Sequence, residues 1–255
     1  MVVPLQAICP QQASCKCCSA TASLYGVVDF HKNCEIVRQK VLDPCGIPIY
    51  YYRCPECQFI FTTAFDHFSK QDFNEYIYNS DYILVDPDYR EVRPQATASG
   101  VAQLFPVVRP ARILDYGGGN GYLADLLRAA GFPHVDTYDP FVSKYATMPT
   151  SRYDCILSFE VVEHSPDPAA TFTEMSDLLA DRGIILFSTL LQPSDIDQQG
   201  VNWWYLGPRN GHVSLYSGAS LHKVAQRLGF QVRSANAGLH VLFREIPDFA
   251  RHLIQ

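Results

Sequence analysis

The chain has 255 residues, 47% of them apolar and 18% charged; this length fits one α/β domain with additions, and the composition excludes a disordered chain. Its formal charge of −6 at pH 7 argues against nonspecific binding to nucleic acid or acidic membranes, because phosphates demand a basic face. The expected partner is therefore a small molecule, bound by a monomer or homodimer, with no nucleic acid and no membrane. No apolar run reaches transmembrane length and Met1-Val-Val-Pro-Leu-Gln-Ala-Ile8 lacks a basic start, so the expected location is the cytoplasm.

Residues 1 to 14 carry no periodicity and are expected to trail over the surface. Nine cysteines is an odd count, concentrated before residue 58, which favours metal over a disulfide framework. Cys15-Lys-Cys-Cys18 and Cys54-Pro-Glu-Cys57 form a CxxC…CxxC pair. Two residues between thiolates let one tight turn present both sulfurs to one ion. Two such turns complete a tetrahedral Zn²⁺ site with no open position, hence a structural one. Cys15, Cys18, Cys54 and Cys57 are the expected ligands; free or redox thiols are the alternative, and Cys9, Cys17, Cys34 and Cys45 receive no role.

Strand-like runs occupy the spacer from Leu24 to Phe30 and from Ile47 to Tyr52. From Gln58 to Arg93 aromatics crowd the chain, among them Phe59, Phe61, Phe65, Phe68, Phe73, Tyr76, Tyr78, Tyr82 and Tyr89. Such density suits a lid over a flat ligand, or core packing. Residues 1–93 are thus expected to form an N-terminal zinc-knuckle and aromatic lid region. Residues 94–255 form the main domain, entered through a proline-containing connector at 94–111 that is partly helical.

Ile113-Leu-Asp-Tyr-Gly-Gly-Gly-Asn-Gly-Tyr122 reads as a buried strand, an acid at its end and a glycine turn opening a helix. Gly117, Gly119 and Gly121 let the backbone turn sharply with no Cβ between it and a ligand. Leu123, Leu126, Leu127 and Ala130 share one helical face, and Gly131 ends the helix. Val135-Asp-Thr-Tyr-Asp139 adds a strand ending in an acid that suits the two hydroxyls of a ribose. Tyr153 to Phe159 is a further strand, and Glu160-Val-Val-Glu-His164 follows where the sheet's carboxyl edge faces a ligand.

Asp167-Pro168 caps the next helix, buried through Phe172, Met175, Leu178 and Leu179. Ile184 to Ser188 is a fourth core strand. The segment 190–216 interrupts the rhythm at the strand's carboxyl edge, which marks a substrate insertion. A helix with Leu221, Val224, Ala225 and Leu228 on one face follows. Phe230–Ala235 and Leu239–Arg244 then close the chain as an antiparallel hairpin. Alternating strands and helices predict a Rossmann-like, mostly parallel doubly wound sheet.

The pattern resembles the class I S-adenosylmethionine-dependent methyltransferases. Asp115-Tyr-Gly-Gly-Gly-Asn-Gly121 matches their first motif, Asp139 the acid after strand two, Glu160 to His164 the segment after strand four, and Gly183 to Thr189 the strand-five motif. The resemblance implies a seven-stranded sheet with a terminal antiparallel hairpin. It implies that Gly117, Gly119 and Gly121 pass beneath the methionine part of S-adenosylmethionine, that Asp115 orients its amino group, that Asp139 grips the ribose, and that Phe159 and Glu160 flank the methionine chain. Tyr145 to Met148 is the expected place for adenine. The N-terminal cysteines are similar to the zinc-binding extension of sugar C-methyltransferases; the acidic chain and the aromatics with histidines favour a small-molecule acceptor, a nucleotide sugar or a natural-product intermediate.

A neutral acceptor must lose a proton, and His164 and His212 are the candidate bases, each with a bland alternative as a backbone-bonded residue. Trp203, Trp204, Tyr205 and Tyr216 are candidate walls of the acceptor pocket, or satellite core. Two other readings stay open. A non-catalytic cofactor-binding interaction module would keep the fold without turnover. A nicotinamide-dependent oxidoreductase is disfavoured because, counted from Gly117, Tyr122 fills the last glycine place of G-x-G-x-x-G.

Overall fold

The computed structural model describes residues 11–106 and 109–254. The expectations for residues 1–10, with Cys9 among them, and for residues 107 and 108 of the connector lie outside that range. Four strands come first, β1 (Gln12–Ser14), β2 (Thr21–Asp29), β3 (Pro48–Arg53) and β4 (Ile60–Thr62). Next come β5 (Arg112–Tyr116), β6 (His134–Tyr138), β7 (Tyr153–Ser158) and β8 (Leu179–Ser188), and then β9 (Ser214–Leu215), β10 (Gln231–Ser234) and β11 (Leu239–Phe243). They form two sheets, β1-β2-β3-β4-β9 and β10-β11-β8-β7-β5-β6.

The second sheet is an α/β layer. β6, β5, β7 and β8 run parallel, and β11 lies antiparallel to both β8 and β10. Its inner strands alternate face by face, as a two-residue period requires. Leu114, Ile156, Ile185 and Phe187 pack on one side, and Ile113, Cys155, Leu157, Ile184 and Leu186 on the other. The first side is covered by the helices Pro168–Leu178 and Gly218–Arg227, the second by Val92–Leu104 and Tyr122–Ala129. The hairpin is tied by Ala235 N donating to Leu239 O at 2.9 Å.

The sheet has six strands among the described residues, not the seven expected. The link from β6 to β7, residues 139–152, holds only the 3-10 turn Ser143–Tyr145. That length is too short for a further strand with its own crossover helix.

The antiparallel sheet is built on two matching cysteine turns. In the first, Cys15 N donates to Ala20 O and Ser19 N to Cys15 O; in the second, Cys54 N donates to Phe59 O and Gln58 N to Cys54 O. Ser19 and Gln58 close these turns in the left-handed region, at φ 65 and 61. One face of this sheet, with Ala22, Tyr52 and Phe61, joins the core beneath the helices Pro168–Leu178 and Gly218–Arg227. The other, with Ile49, Tyr51 and Ile60, packs on the aromatic segment and on the 190–216 insertion. The insertion supplies β9, which pairs with β4 through Ile60↔Leu215 and Phe61↔Ser214. The chain segment after β8 therefore completes the antiparallel sheet, and the cysteine region and the α/β layer share a core.

Candidate active site

A cavity of about 890 Å³ opens at the carboxyl ends of β5, β6 and β7. Its lining includes Asp115, the run Gly117 to Asn120, Asp139, Phe159, Glu160 and His164. The glycine turn is closely packed except at Gly119. Gly117 sits at φ 75, and a Cβ there would meet Val161 Cγ2 at 2.4 Å; Gly119 sits at φ 56 and faces open space. Gly121, at φ 82, abuts the Tyr145 hydroxyl, 2.5 Å from where its Cβ would be. Asp115 is buried and its Oδ2 has no hydrogen-bond partner. Burial, and then the charge of Asp139, pushes its carboxyl up to about 7. Asp139 receives Gly119 N on Oδ2 at 2.9 Å and Phe141 N on Oδ1 at 2.8 Å. These two bonds fix the carboxylate at the cavity edge.

The opposite wall comes from the aromatic segment: Phe73, Tyr78, Tyr82, Tyr89 and Arg93, with Phe141 from the link after β6. Tyr78 and Phe141 pack with their rings tilted by 58° and their centroids 5.2 Å apart. Arg93 is held bidentate by Asp86, at 2.7 and 2.9 Å.

Beside the cavity, His164 meets His212 edge to face, with centroids 4.8 Å apart. His212 is buried, its Nδ1 2.7 Å from the Tyr205 carbonyl and 3.5 Å from Cys34 Sγ. Burial pushes His212 down to about 4, and burial with the His212 charge lowers His164 well below the usual imidazole range. Glu163 accepts the Tyr205 hydroxyl at 2.5 Å. Burial, then the charge of Glu160, raises its carboxyl. Glu160 occupies φ 56, a strained value for a residue with a Cβ.

The model of the family described as "Methyltransferase domain" matches residues 89–235, more than half of the 255. The chain belongs to this methyltransferase family. It is 26% identical over 102 residues to a ubiquinone biosynthesis O-methyltransferase of Aromatoleum aromaticum, covering 31% of this chain and 44% of that protein. The chain thus matches less than half the length of this curated relative. An O-methyltransferase family protein from Burkholderia thailandensis superposes with TM-score 0.48 at 11% identity, over 69% of this chain and 65% of that one. A 1,6-didemethyltoxoflavin-N1-methyltransferase of the same organism, solved with bound 1,6-didemethyltoxoflavin and S-adenosylhomocysteine, gives TM-score 0.48 at 14% identity, over 81% of this chain and 98% of that one.

In this member of the family the four expected zinc ligands come together. Cys15, Cys18, Cys54 and Cys57 place their sulfurs within 4.8 Å of one another, with Cys15 to Cys57 at 3.6 Å and Cys18 to Cys54 at 3.5 Å. Sulfurs bonded tetrahedrally to zinc at 2.3 Å lie about 3.8 Å apart, so the donor set fits that ion. Cys17 turns away to the Ser220 carbonyl, Cys34 is buried beside His212, and Cys45 is exposed against Asp29.

The residues expected to wall the acceptor pocket do not line the cavity. Trp203 and Tyr205 are buried in the core beneath the antiparallel sheet, Tyr216 is buried against Phe59 near the cysteine turns, and Trp204 is 38% exposed. Apart from Trp204, the large apolar side chains of the insertion face inward, where its return leg joins the antiparallel sheet as β9. The aromatic segment forms the cavity wall instead. Sequence density had marked it without showing which rings face inward. Gly118, Glu163, Asp86 and Arg93 were missed; the only signal for Glu163 was its place within Glu160 to His164.

Proposed function

We propose that the chain transfers a methyl group from S-adenosylmethionine to a small-molecule acceptor held between the glycine turn and the aromatic wall. The observation that carries this reading is Asp115, a buried carboxylate with an unpartnered oxygen behind a glycine turn that leaves no room for a Cβ at Gly117, Gly118 or Gly121. An ammonium is the partner such an oxygen lacks. Asp115 orients the amino group, Gly117 and Gly119 leave the backbone bare beneath the methionine chain, and Asp139 takes the ribose at the end of β6. Phe159 and Glu160 border the methionine chain. When bound, the cofactor supplies an electrophilic methyl that needs only an aligned nucleophile and a place for the acceptor's proton.

Phe73, Tyr78, Tyr82, Tyr89 and Phe141 favour a flat or amphipathic acceptor, and Arg93 at the rim favours one with an acidic or oxygen-rich group. A nucleotide sugar or an aromatic natural-product intermediate has that chemistry. The proton leaves beside His164, the histidine that lines the cavity, backed by His212 and Glu163. The four cysteines hold a structural zinc that locks the sheet carrying this wall. Thermal-shift titration with S-adenosylhomocysteine and with NAD tests the reading. Stabilisation by the first alone is expected; stabilisation by NAD alone, or by neither, refutes it.

A further inference from the structure

Glu163, His164 and His212 each offer one ligand atom, and these atoms lie within 4.8 Å of one another. Glu163 Oε2 and His164 Nδ1 are shielded from solvent and have no hydrogen-bond partner. Glu163 has no exposed surface, and among the described residues no basic side chain forms an ion pair with it. An orphaned buried carboxyl oxygen calls for a partner, and a cation held together with the two imidazoles supplies one. Tyr205 holds two of the three groups. Its hydroxyl donates to Glu163 Oε1, and its carbonyl accepts from His212 Nδ1. The second bond fixes the tautomer and leaves the His212 lone pair on Nε2. Such supporting bonds are what orient metal ligands.

We propose that Glu163, His164 and His212 bind one divalent transition-metal ion beside the cavity, and that the ion holds the methyl acceptor through an oxygen. Two imidazoles and one carboxylate are the donors of zinc, cobalt, manganese or iron(II) sites with positions left open. Tetrahedral ligands of an ion bonded at about 2.1 Å lie about 3.4 Å apart, closer than the 4.8 Å within which this set lies, so the ion would draw the three groups together. The donor chemistry differs from that of the four thiolates, so the two sites select ions separately. His164, Glu160 and Ser165 line the cavity on this side, where an acceptor reaches the open positions.

The inference rests on the proposed methyl transfer and narrows its acceptor to a hydroxyl compound, best one with a second oxygen to chelate. An ion-held hydroxyl releases its proton to solvent near neutral pH. Its oxygen lone pair then forms the new bond to the methyl carbon, and the carbon–sulfur bond breaks with its electron pair returning to sulfur. In this assignment the histidines are ligands and not bases.

The test is a titration of the full chain, its thiolates loaded with zinc, with Co²⁺ followed by absorption, beside calorimetric titration with S-adenosylhomocysteine. One cobalt per chain is expected, with weak d–d bands and no thiolate charge-transfer band. Binding should be lost in Glu163→Gln and His164→Asn while S-adenosylhomocysteine still binds, and Tyr205→Phe should weaken cobalt by about tenfold or more. Wild-type protein that binds S-adenosylhomocysteine but no cobalt overturns the inference and leaves the methyl-transfer reading intact. Failure to bind S-adenosylhomocysteine in any form overturns that reading itself. A charge-transfer band, or uptake unchanged in both variants, also overturns the metal site. The wild-type titration decides even where a variant does not fold.

Discussion

A Cβ built on Gly118 would sit 2.2 Å from Asp115 Oδ2 and 2.8 Å from Thr137 Cγ2. Asp115 is buried at the end of β5, so the added methyl must push its carboxylate toward the cavity. Gly118→Ala should therefore destabilise the chain by about 1–3 kcal/mol, the usual cost of overpacking, and weaken S-adenosylhomocysteine as Asp115 is displaced. Chemical denaturation and calorimetry measure the two effects. A variant with unchanged stability and affinity contradicts the close fit.

Asp115 also makes binding pH-dependent. Its folded-state carboxyl is raised to about 7 by burial. In the ligand-free chain it thus keeps a proton that the unfolded chain has released, and its contribution to stability fades as pH rises through about 7. A ligand ammonium favours the ionised form, so binding expels that proton. S-adenosylhomocysteine affinity should rise with pH below about 7, by at most about tenfold per unit, and flatten above it. Asp115→Asn should bind more weakly and with a flat profile over the same range.

Much of this site was legible because its signals are local. The Asp115 to Gly121 turn, Asp139 and the Glu160 to His164 segment each stand at the end of one strand, so a few adjacent residues announce them. The cysteine turns are equally local, and the structure brings them together. The pairing of Glu163 with His212 was not legible. It depends on the insertion returning past β7, with Val213 N donating to Glu163 O and β9 joining the other sheet. The missing seventh strand had the opposite cause: the family resemblance implied it, whereas the 139–152 link has no room for it.

The backbone at Glu160 separates strain from side-chain chemistry. It holds φ 56, while Ser188 Oγ accepts from its N–H at 2.8 Å and donates to its Oε1 at 3.1 Å. Alanine removes the carboxylate and keeps the strain; glycine removes both. Glu160→Gly should be more stable than Glu160→Ala by about 1 kcal/mol. Equal stabilities in urea unfolding would show that the left-handed conformation costs nothing here.

The four thiolates should hold one zinc per chain by elemental analysis. Because β4 pairs with β9 and the sheet shares its core with the α/β layer, loss of the ion should weaken the whole fold. Cys54→Ser should lower stability by at least about 3 kcal/mol, or about 6–12 °C in melting temperature for a chain of this size. Loss of zinc with no change in melting would mean that the sheet stands without it.

The two tryptophans give the sharpest contrast between packing and recognition. Trp203 is 2% exposed and packs on Tyr205 at 5.4 Å, in the core shared with the aromatic segment. Trp204, its neighbour, is 38% exposed and touches Tyr205 only edge to face. Trp203→Ala should cost about 3–5 kcal/mol, the price of an aromatic-sized cavity. Trp204→Ala should change stability by no more than about 0.5 kcal/mol. Since neither side chain lines the cavity, S-adenosylhomocysteine affinity should be unchanged in Trp204→Ala and, measured on the folded fraction, nearly so in Trp203→Ala. The same holds for the acceptor KM once an acceptor is in hand. A large rise in KM for Trp204→Ala at unchanged stability would return the insertion to the acceptor site and demote the aromatic segment.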